Sequence, residues 1–319
     1  MVIKTTASFA ALFLATCGAH ASPGALEINQ ACVAEGCFPG DDPGFPVEIR
    51  SPGNYILTSN LNATAATGAI VLIVDNINLD LGGFHVRGPA NCYGNPVVCD
   101  PGSLGHGVNG TGITMGSTVK NGSVSGFEWG VATDPGWRVT NVTSSYNRQL
   151  GFFVRRGAIV RDSLARFNAG NGFQVGALGQ LIDSISVQNN QAGVTTSDSD
   201  YGGAGGPGGA HIERVTLQEN GIGIYDHGRS RIMDCSIHGN HGVGIESANG
   251  GSLIAGNTII DNEGVGLHLN AGGRFATGGL ATIVAGNSFS SNNSDGVQID
   301  GAGPVVVPGP NLCGTATCP

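Results

Sequence analysis

The sequence predicts an all-β solenoid, with parallel coils of about 21 residues stacked along one axis and capped at both ends. Three observations carry this. A column of Asn recurs at Asn147, Asn168, Asn189, Asn220, Asn240, Asn262 and Asn292, with spacings of 21, 21, 31, 20, 22 and 30. An aliphatic stands eight residues before each: Val139, Val160, Leu181, Ile212, Ile232, Ile254 and Val284. Within a few residues after each Asn comes Gly and then an apolar residue, from Gly151-Phe152, Gly172-Phe173 and Gly193-Val194 through Gly223-Ile224, Gly244-Ile245 and Gly266-Leu267 to Gly296-Val297.

Each element has a physical reason. Short β-branched runs between Gly and Asn turns make one coil, and no coil buries its apolar side alone, so the aliphatics stack as interior ladders. An Asn at an inward corner bonds to the next Asn and to backbone amides, which satisfies polar groups away from water. The two long spacings equal one period plus about ten residues, which places inserted loops at about 197–210 and 271–280 after the same strand. An earlier rung runs from Val119 to Val131, with Phe127 in the Asn column. Leucine-rich repeats share the period but need a recurrent Leu-x-x-Leu-x-Leu, which is absent.

Composition excludes the main alternatives. Gly fills 55 of 319 positions without a Gly-X-Y period, so collagen is excluded. Gly costs about 1 kcal/mol in each helix interior, and Lys is confined to Lys4 and Lys120, so an all-α fold is excluded. A 40% apolar content and a mean hydropathy of +0.08 exclude wholesale disorder. A net charge of −9 without basic–aromatic interleaving argues against a nucleic-acid partner.

The ends read differently from the repeat. Residues 1–21 resemble an export signal, with Lys4 in the n-region, an apolar run over 8–16 and Ala19-His20-Ala21 as a small-x-small cleavage site. Leu14-Ala15-Thr16-Cys17 is a weaker match to a lipobox, because Thr directly before the Cys is unusual. No later stretch is long and apolar enough to span a bilayer as a helix. The expected location is secreted or periplasmic, with lipoprotein anchoring through Cys17 as the lesser alternative. Residues 22–68 lack the period and are expected to cap one end, residues 69–303 form the β-helix, and 304–319 close the other end. Cys32/Cys37, Cys92/Cys99 and Cys313/Cys318 are close pairs that predict three local disulfides in an oxidising compartment, leaving Cys235 as a buried thiol.

The Asn column and the coil length resemble the right-handed parallel β-helix of the pectate-lyase-like superfamily, over residues 70–300. The flanking stretches Gly40-Asp-Asp-Pro-Gly-Phe-Pro-Val47, Ser51-Pro-Gly-Asn-Tyr-Ile-Leu57 and Asn78-Leu-Asp-Leu-Gly-Gly-Phe84 resemble exported bacterial β-helix repeat proteins. The resemblance implies a polysaccharide partner by analogy of fold. The superfamily includes pectate and alginate lyases, polygalacturonases, C5-epimerases, phage tailspikes and non-enzymatic adhesins.

Strand alternation locates the candidate site. The residue two positions after each Gly-apolar start points outward, which gives the column Ala132, Phe153, Gln174, Thr195, Tyr225, Glu246, His268 and Gln298. Tyr225, Glu246 and His268 supply a phenol, a carboxylate and an imidazole on successive rungs, groups suited to acid/base work on a sugar ring. Both insertions flank this column, and Tyr225-Asp226-His227-Gly228-Arg229 lies between them. That run loosely resembles the Tyr, Asp and His sets of alginate epimerases and lyases, without their Asp-Pro-His-Asp motif. The candidate catalytic residues are Tyr225, His227, His268, Glu246 and Asp226. Arg229, Phe153, Gln174, Arg155 and Arg161 are the candidate substrate-binding residues. Arg155 and Arg161 belong to a run of six Arg from Arg138 to Arg166, opposed only by Asp162.

The favoured function is lyase-type chemistry on an extracellular, preferably acidic, polysaccharide. His227 or His268 serves as base, Tyr225 as acid and Arg229 as neutraliser of the sugar carboxylate. Hydrolysis by Asp226 and Glu246 stays open, as does a non-catalytic, glycan-binding or scaffold β-helix. No cofactor is required; calcium is compatible with Asp198 and Asp200. His238 and His241 lack a recognisable third metal ligand.

Overall fold

A computed structural model describes residues 24–64, 67–100, 105–111, 114–197, 209–270, 280–302, 304–314 and 316–318. Residues 1–21, expected to be an export signal, and Cys17 lie outside these residues, as do most of both insertions. The chain winds as a right-handed parallel β-helix with three strands per coil. One face is an 11-stranded parallel sheet running from Val47–Ile49 to Ile299–Ala302. The other two faces join in a 22-stranded sheet, as the neighbouring strands Ile159–Arg161 and Leu164–Arg166 illustrate. No helix among the described residues is long and apolar enough to cross a membrane.

The corners follow from backbone chemistry. Between the paired strands the chain turns at a residue with positive φ, as at Asn141 (55°), Asp162 (50°), Asp183 (50°) and Asp234 (53°). Short polar side chains tolerate this left-handed region better than most. A second left-handed corner follows at Tyr146, Phe167, Gln188, Glu219 and Asp261. Directly after it stands the Asn column. All seven amides are fully or almost fully buried. The Oδ1 of Asn168 accepts both the backbone N–H and the Nδ2 of Asn147, at 3.1 and 2.9 Å. Asn189 does the same for Asn168 at 3.0 and 2.8 Å, and the pattern continues through Asn220, Asn240, Asn262 and Asn292. Gly follows because nothing larger fits: a Cβ at Gly172 would meet Ser186 Oγ at 2.2 Å and Asn189 Nδ2 at 2.8 Å.

A further ladder, absent from the sequence expectations, occupies the first corner. Asn257, Asn287 and Asn311 bond in series, and Asn257 Oδ1 accepts Cys235 N–H at 2.9 Å. In earlier rungs the same column holds Ser163 and Ser184, whose hydroxyls accept the preceding rung's amide. Cys235 therefore sits in a polar corner column rather than against a reactive surface. Burial pushes its thiol up to about 12, with the charges of Asp234 and Glu213 adding to the shift.

The interior is the expected pair of apolar ladders. Val119, Val139, Val160, Leu181, Ile212, Ile232, Ile254 and Val284 stack on one side, and Val131, Phe152, Phe173, Val194, Ile224, Ile245 and Leu267 on the other, all buried. Phe152 and Phe173 stack at 4.8 Å between ring centres. Parallel pairing begins before residue 69: Ala25–Ile28 pairs with Gly53–Leu57, which pairs with Ile77–Asp80. In that irregular first coil Asp41 does the corner work, accepting Cys37 N–H at 2.9 Å and Glu48 N–H at 2.8 Å. At the other end Val305–Val306 and Leu312–Cys313 still pair in parallel, and an antiparallel hairpin to Ala316–Thr317 then stops the stack. Cys32–Cys37, Cys92–Cys99 and Cys313–Cys318 are disulfides, as expected, and Cys235 is free.

Asn189→Leu is expected to destabilise the fold by about 1–3 kcal/mol, since the amide of Asn168 loses a buried acceptor. A urea midpoint equal to that of the wild type contradicts the ladder's role. Cys235 is expected to resist alkylation in the native protein near neutral pH and to react once the chain is unfolded. Native labelling at Cys235, mapped by peptide mass, is the contrary result.

Candidate functional site

The parallel register builds the site from the 11-stranded sheet. Ala132, Phe153, Gln174, Thr195, Tyr225, Glu246 and His268 are direct neighbours on successive strands, as expected. The last position differs. Asp300, not Gln298, lies beside His268. The chain inserts a short 3-10 turn at Asn292–Asp295, so the Gly296-Val297 step does not start a rung. Gln298 instead caps the Asn ladder, accepting Asn292 Nδ2 at 2.8 Å and donating to Asn292 O at 2.9 Å.

This exchange gives the row a residue that sequence reasoning missed. Asp300 Oδ1 lies 2.6 Å from His268 Nδ1. With a proton on Nδ1 donated to the carboxylate, Nε2 is left as the ring's acceptor, able to take a proton. Glu246 stands one rung below, and Tyr225 one below that, all three side chains half-buried. Burial and then the Glu246 charge raise the Tyr225 pKa, so its phenol stays protonated through neutral pH and can donate. His227 follows the strand and sets its ring edge-on to Tyr225, with centres 4.9 Å apart. Its Nδ1 bonds to the Thr196 carbonyl, which fixes the ring beside the row.

Several expected members stand elsewhere. Asp226 alternates inward and is fully buried. It accepts hydrogen bonds from the hydroxyls of Thr196 (2.9 Å), Ser247 (3.1 Å) and Ser252 (2.6 Å) and from Gly228 N–H (3.0 Å). Its role is to hold the coil interior together, and it cannot reach a substrate in the row. Arg229 turns away from the row into a separate cavity of about 590 Å³, lined also by Gln180, His211 and Arg231. Arg161 lies on the 22-stranded sheet, paired with Thr140 and Ile182, away from the site. The six Arg therefore do not form one patch: Arg148 pairs with Glu128 at 3.3 Å, and Arg166 lies 5.9 Å over the Phe167 ring. His241 meets Glu263 at 3.0 Å. Among the described residues no three His, Cys, Asp or Glu side chains gather as for a metal. Asp198 and Asp200, the expected calcium ligands, lie outside the described residues.

The lower end of the row is aromatic. Phe153 is in the outward column but only 5% exposed, because Trp129 tilts against it at 5.0 Å. His106 stacks on Trp129 at 4.4 Å, and burial lowers its pKa. Arg155 lies 5.5 Å over the Phe153 ring and pairs with the buried Asp134 at 3.1 Å. Trp129 and His106 escaped the sequence reading, since Trp129 starts its strand three residues before the outward Ala132. From Phe153 to Asp300 the row spans six rung steps, about 29 Å at the usual strand spacing. Gln174 and Thr195, half-buried, link the aromatic end to the ionisable end.

Comparison with known proteins fits this architecture. The family profile for the right-handed β-helix region matches residues 202–309. The mannuronan C-5 epimerase AlgE6 A-module of Azotobacter vinelandii is similar at 17% identity and a TM-score of 0.54, covering 91% of this chain and 87% of its own. The Dettilon tailspike protein is similar at 14% identity and a TM-score of 0.63, over 80% of this chain but only 55% of the tailspike. The pectate lyase Pel9A is similar at 14% identity and a TM-score of 0.51, over 87% of this chain and 71% of its own. The chain has no significant match among curated protein sequences. The chain shares the right-handed β-helix fold with these proteins, and identities this low establish the fold alone.

Glu246→Gln is expected to lower the Tyr225 pKa, because it removes a neighbouring negative charge. Titration of the Tyr225 ring resonance by NMR checks this; an unchanged or higher midpoint contradicts the row geometry.

Proposed function

We propose that this protein is a carbohydrate-active β-helix protein of an extracytoplasmic compartment, which binds a polysaccharide along the Phe153–Asp300 row and acts on it by lyase-type proton transfer. The observation that carries the proposal is the registered sequence Tyr225, Glu246, His268 and Asp300, with His268 held by Asp300 at 2.6 Å. The three disulfides suit an oxidising compartment. Mannuronan and pectate, in the names of two structural neighbours, are polyuronates, which supports an acidic polysaccharide as partner.

The chemistry needs a base, an acid and a place for charge. His268 Nε2 takes the C5 proton of a uronate ring, and the electron pair moves into the adjacent carboxylate as an enolate. The electrons then return to form the C4–C5 double bond as the C4–O bond breaks. Tyr225 gives its proton to the departing oxygen. In the epimerase variant Tyr225 instead protonates C5 from the opposite face, and no bond to the neighbouring sugar breaks. Trp129, half-buried over Phe153, offers an aromatic surface for sugar rings remote from the reacting centre.

One observation favours a second reading. Arg229 faces away, so among the described residues the row from Tyr225 to Asp300 carries two carboxylates and no guanidinium. Glu246 and Asp300 lie two rungs apart, about 9.6 Å along the backbone. That is near the separation of about 6.5–9.5 Å between the carboxyl groups of inverting glycosidases. Hydrolysis by this pair replaces the Asp226–Glu246 pair that the sequence offered.

A panel of polyuronates and neutral glycans separates the readings, with unsaturated products followed by ultraviolet absorbance and reducing ends counted separately. Unsaturated product is expected from a polyuronate, and His268→Ala or Tyr225→Phe should lower turnover about 10²-fold or more. Folding should survive, since both side chains stand on the outer row and neither belongs to the buried core. Reducing ends without unsaturation establish the hydrolytic reading. Binding without product from any glycan establishes a non-catalytic, glycan-binding protein.

A further inference from the structure

A second polar cavity lies on the 22-stranded sheet, on a different face from the row. It measures about 360 Å³ and is lined by Asn60, Asn62, His85, Arg87, Ser125 and Tyr146, with the Ala90–Cys92 segment as one wall. Register builds its floor: Asn62, Arg87 and Ser125 are neighbours on successive strands. The wall is held from outside the local chain. The Cys92–Cys99 disulfide closes an antiparallel hairpin, Cys92–Tyr93 with Val98–Cys99. Its tip is pinned far along the stack, where Val97 N–H donates to Asn190 Oδ1 and Asn190 Nδ2 donates to Val97 O, both at 2.7 Å. Val97 itself is buried. This is a built cavity rather than a dent between loops.

Its chemistry is one-sided. Arg87 is the only formal cation in the lining, and no described lining residue is a carboxylate. His85 is held along the floor strand, with Nδ1 at 2.7 Å from Ser123 Oγ and Nε2 at 2.9 Å from Ser125 Oγ. Burial and the Arg87 charge both lower its pKa, so it is neutral at neutral pH. Asn91 donates to Asp100 at 3.3 Å, outside the lining. Tyr146 is half-buried and backed by Phe167, stacked at 5.2 Å, which makes it a firm apolar edge.

We infer that this cavity binds a sugar residue carrying a carboxylate, with Arg87 on the carboxylate, the Asn60 and Asn62 amides on ring hydroxyls, and Tyr146 against the ring. A guanidinium matches a carboxylate with two parallel hydrogen bonds. The volume falls in the range of ligand pockets, about 300–1,000 Å³. The site stands independently of the proposed chemistry in the row, since no residue is shared. On a net charge of −9 it gives an acidic glycan a fixed positive landing point.

The test is calorimetric titration of the full chain with a saturated digalacturonate, with maltose as neutral control and inorganic sulfate as a bare anion. The acidic disaccharide is expected to bind, and Arg87→Gln to weaken it roughly tenfold or more, the usual worth of a charge-assisted contact. Asn62→Asp, which sets a carboxylate beside Arg87 on an exposed position, is expected to have the same effect without disturbing the fold. The loss caused by Arg87→Gln is expected to be the same in the wild-type and His268→Ala backgrounds, which separates the two sites. Equal binding of maltose, equal competition by sulfate, or unchanged affinity in both Arg87→Gln and Asn62→Asp overturns the inference.

Discussion

Each corner Asn accepts two hydrogen bonds on a single oxygen, from the backbone and the side chain of the rung before it, and everything else in the molecule inherits its register from that exchange. In a buried corner an unbonded amide is costly, so a coil that slips by one residue loses its partners at once. A one-residue slip also turns every side chain to the opposite face. Here the stake is concrete. Tyr225 faces out beside Glu246, and the next residue, Asp226, faces in to three hydroxyls. The ladder thus decides which ionisable groups meet solvent and which brace the interior.

Much of the fold was legible because the ladder leaves a periodic mark. The Asn column, the aliphatic eight residues earlier and the Gly-apolar step are local consequences of one geometry, so they recur together. The second ladder was not legible, because its column changes from Ser163 and Ser184 through Val215 and Cys235 to Asn257, and only the last three rungs carry the amide. The first coil was also hidden. Asp41 replaces the Asn there, and the Pro/Gly-rich chain has no period.

The candidate site was legible where alternation was followed and obscured where proximity in sequence was trusted. Tyr225, Glu246 and His268 came from alternation and are neighbours. The run from Tyr225 to Arg229 is dense in ionisable groups, yet a strand and a left-handed turn at Arg229 (φ 61°) send its members to three different places. Asp300 was missed because the 3-10 turn before it shifts the last rung by two residues, a length change that the Gly-apolar pattern conceals. Trp129 and His106 depend on a contact between strand starts that the column rule does not address. The surface therefore divides into an aromatic end, an ionisable end and a separate basic pocket, each set by register and not by local composition.

The central claim is that a polysaccharide lies along the outer row with its reacting carbon at His268. A crystal structure of the full chain with His268→Ala and a bound saturated oligogalacturonate tests it most directly. Sugar rings are expected along the row between Phe153 and Asp300, with one C5 facing the space vacated by the imidazole and its inter-sugar oxygen toward Tyr225. An oligosaccharide seated on another face of the helix, with the row empty, would contradict it.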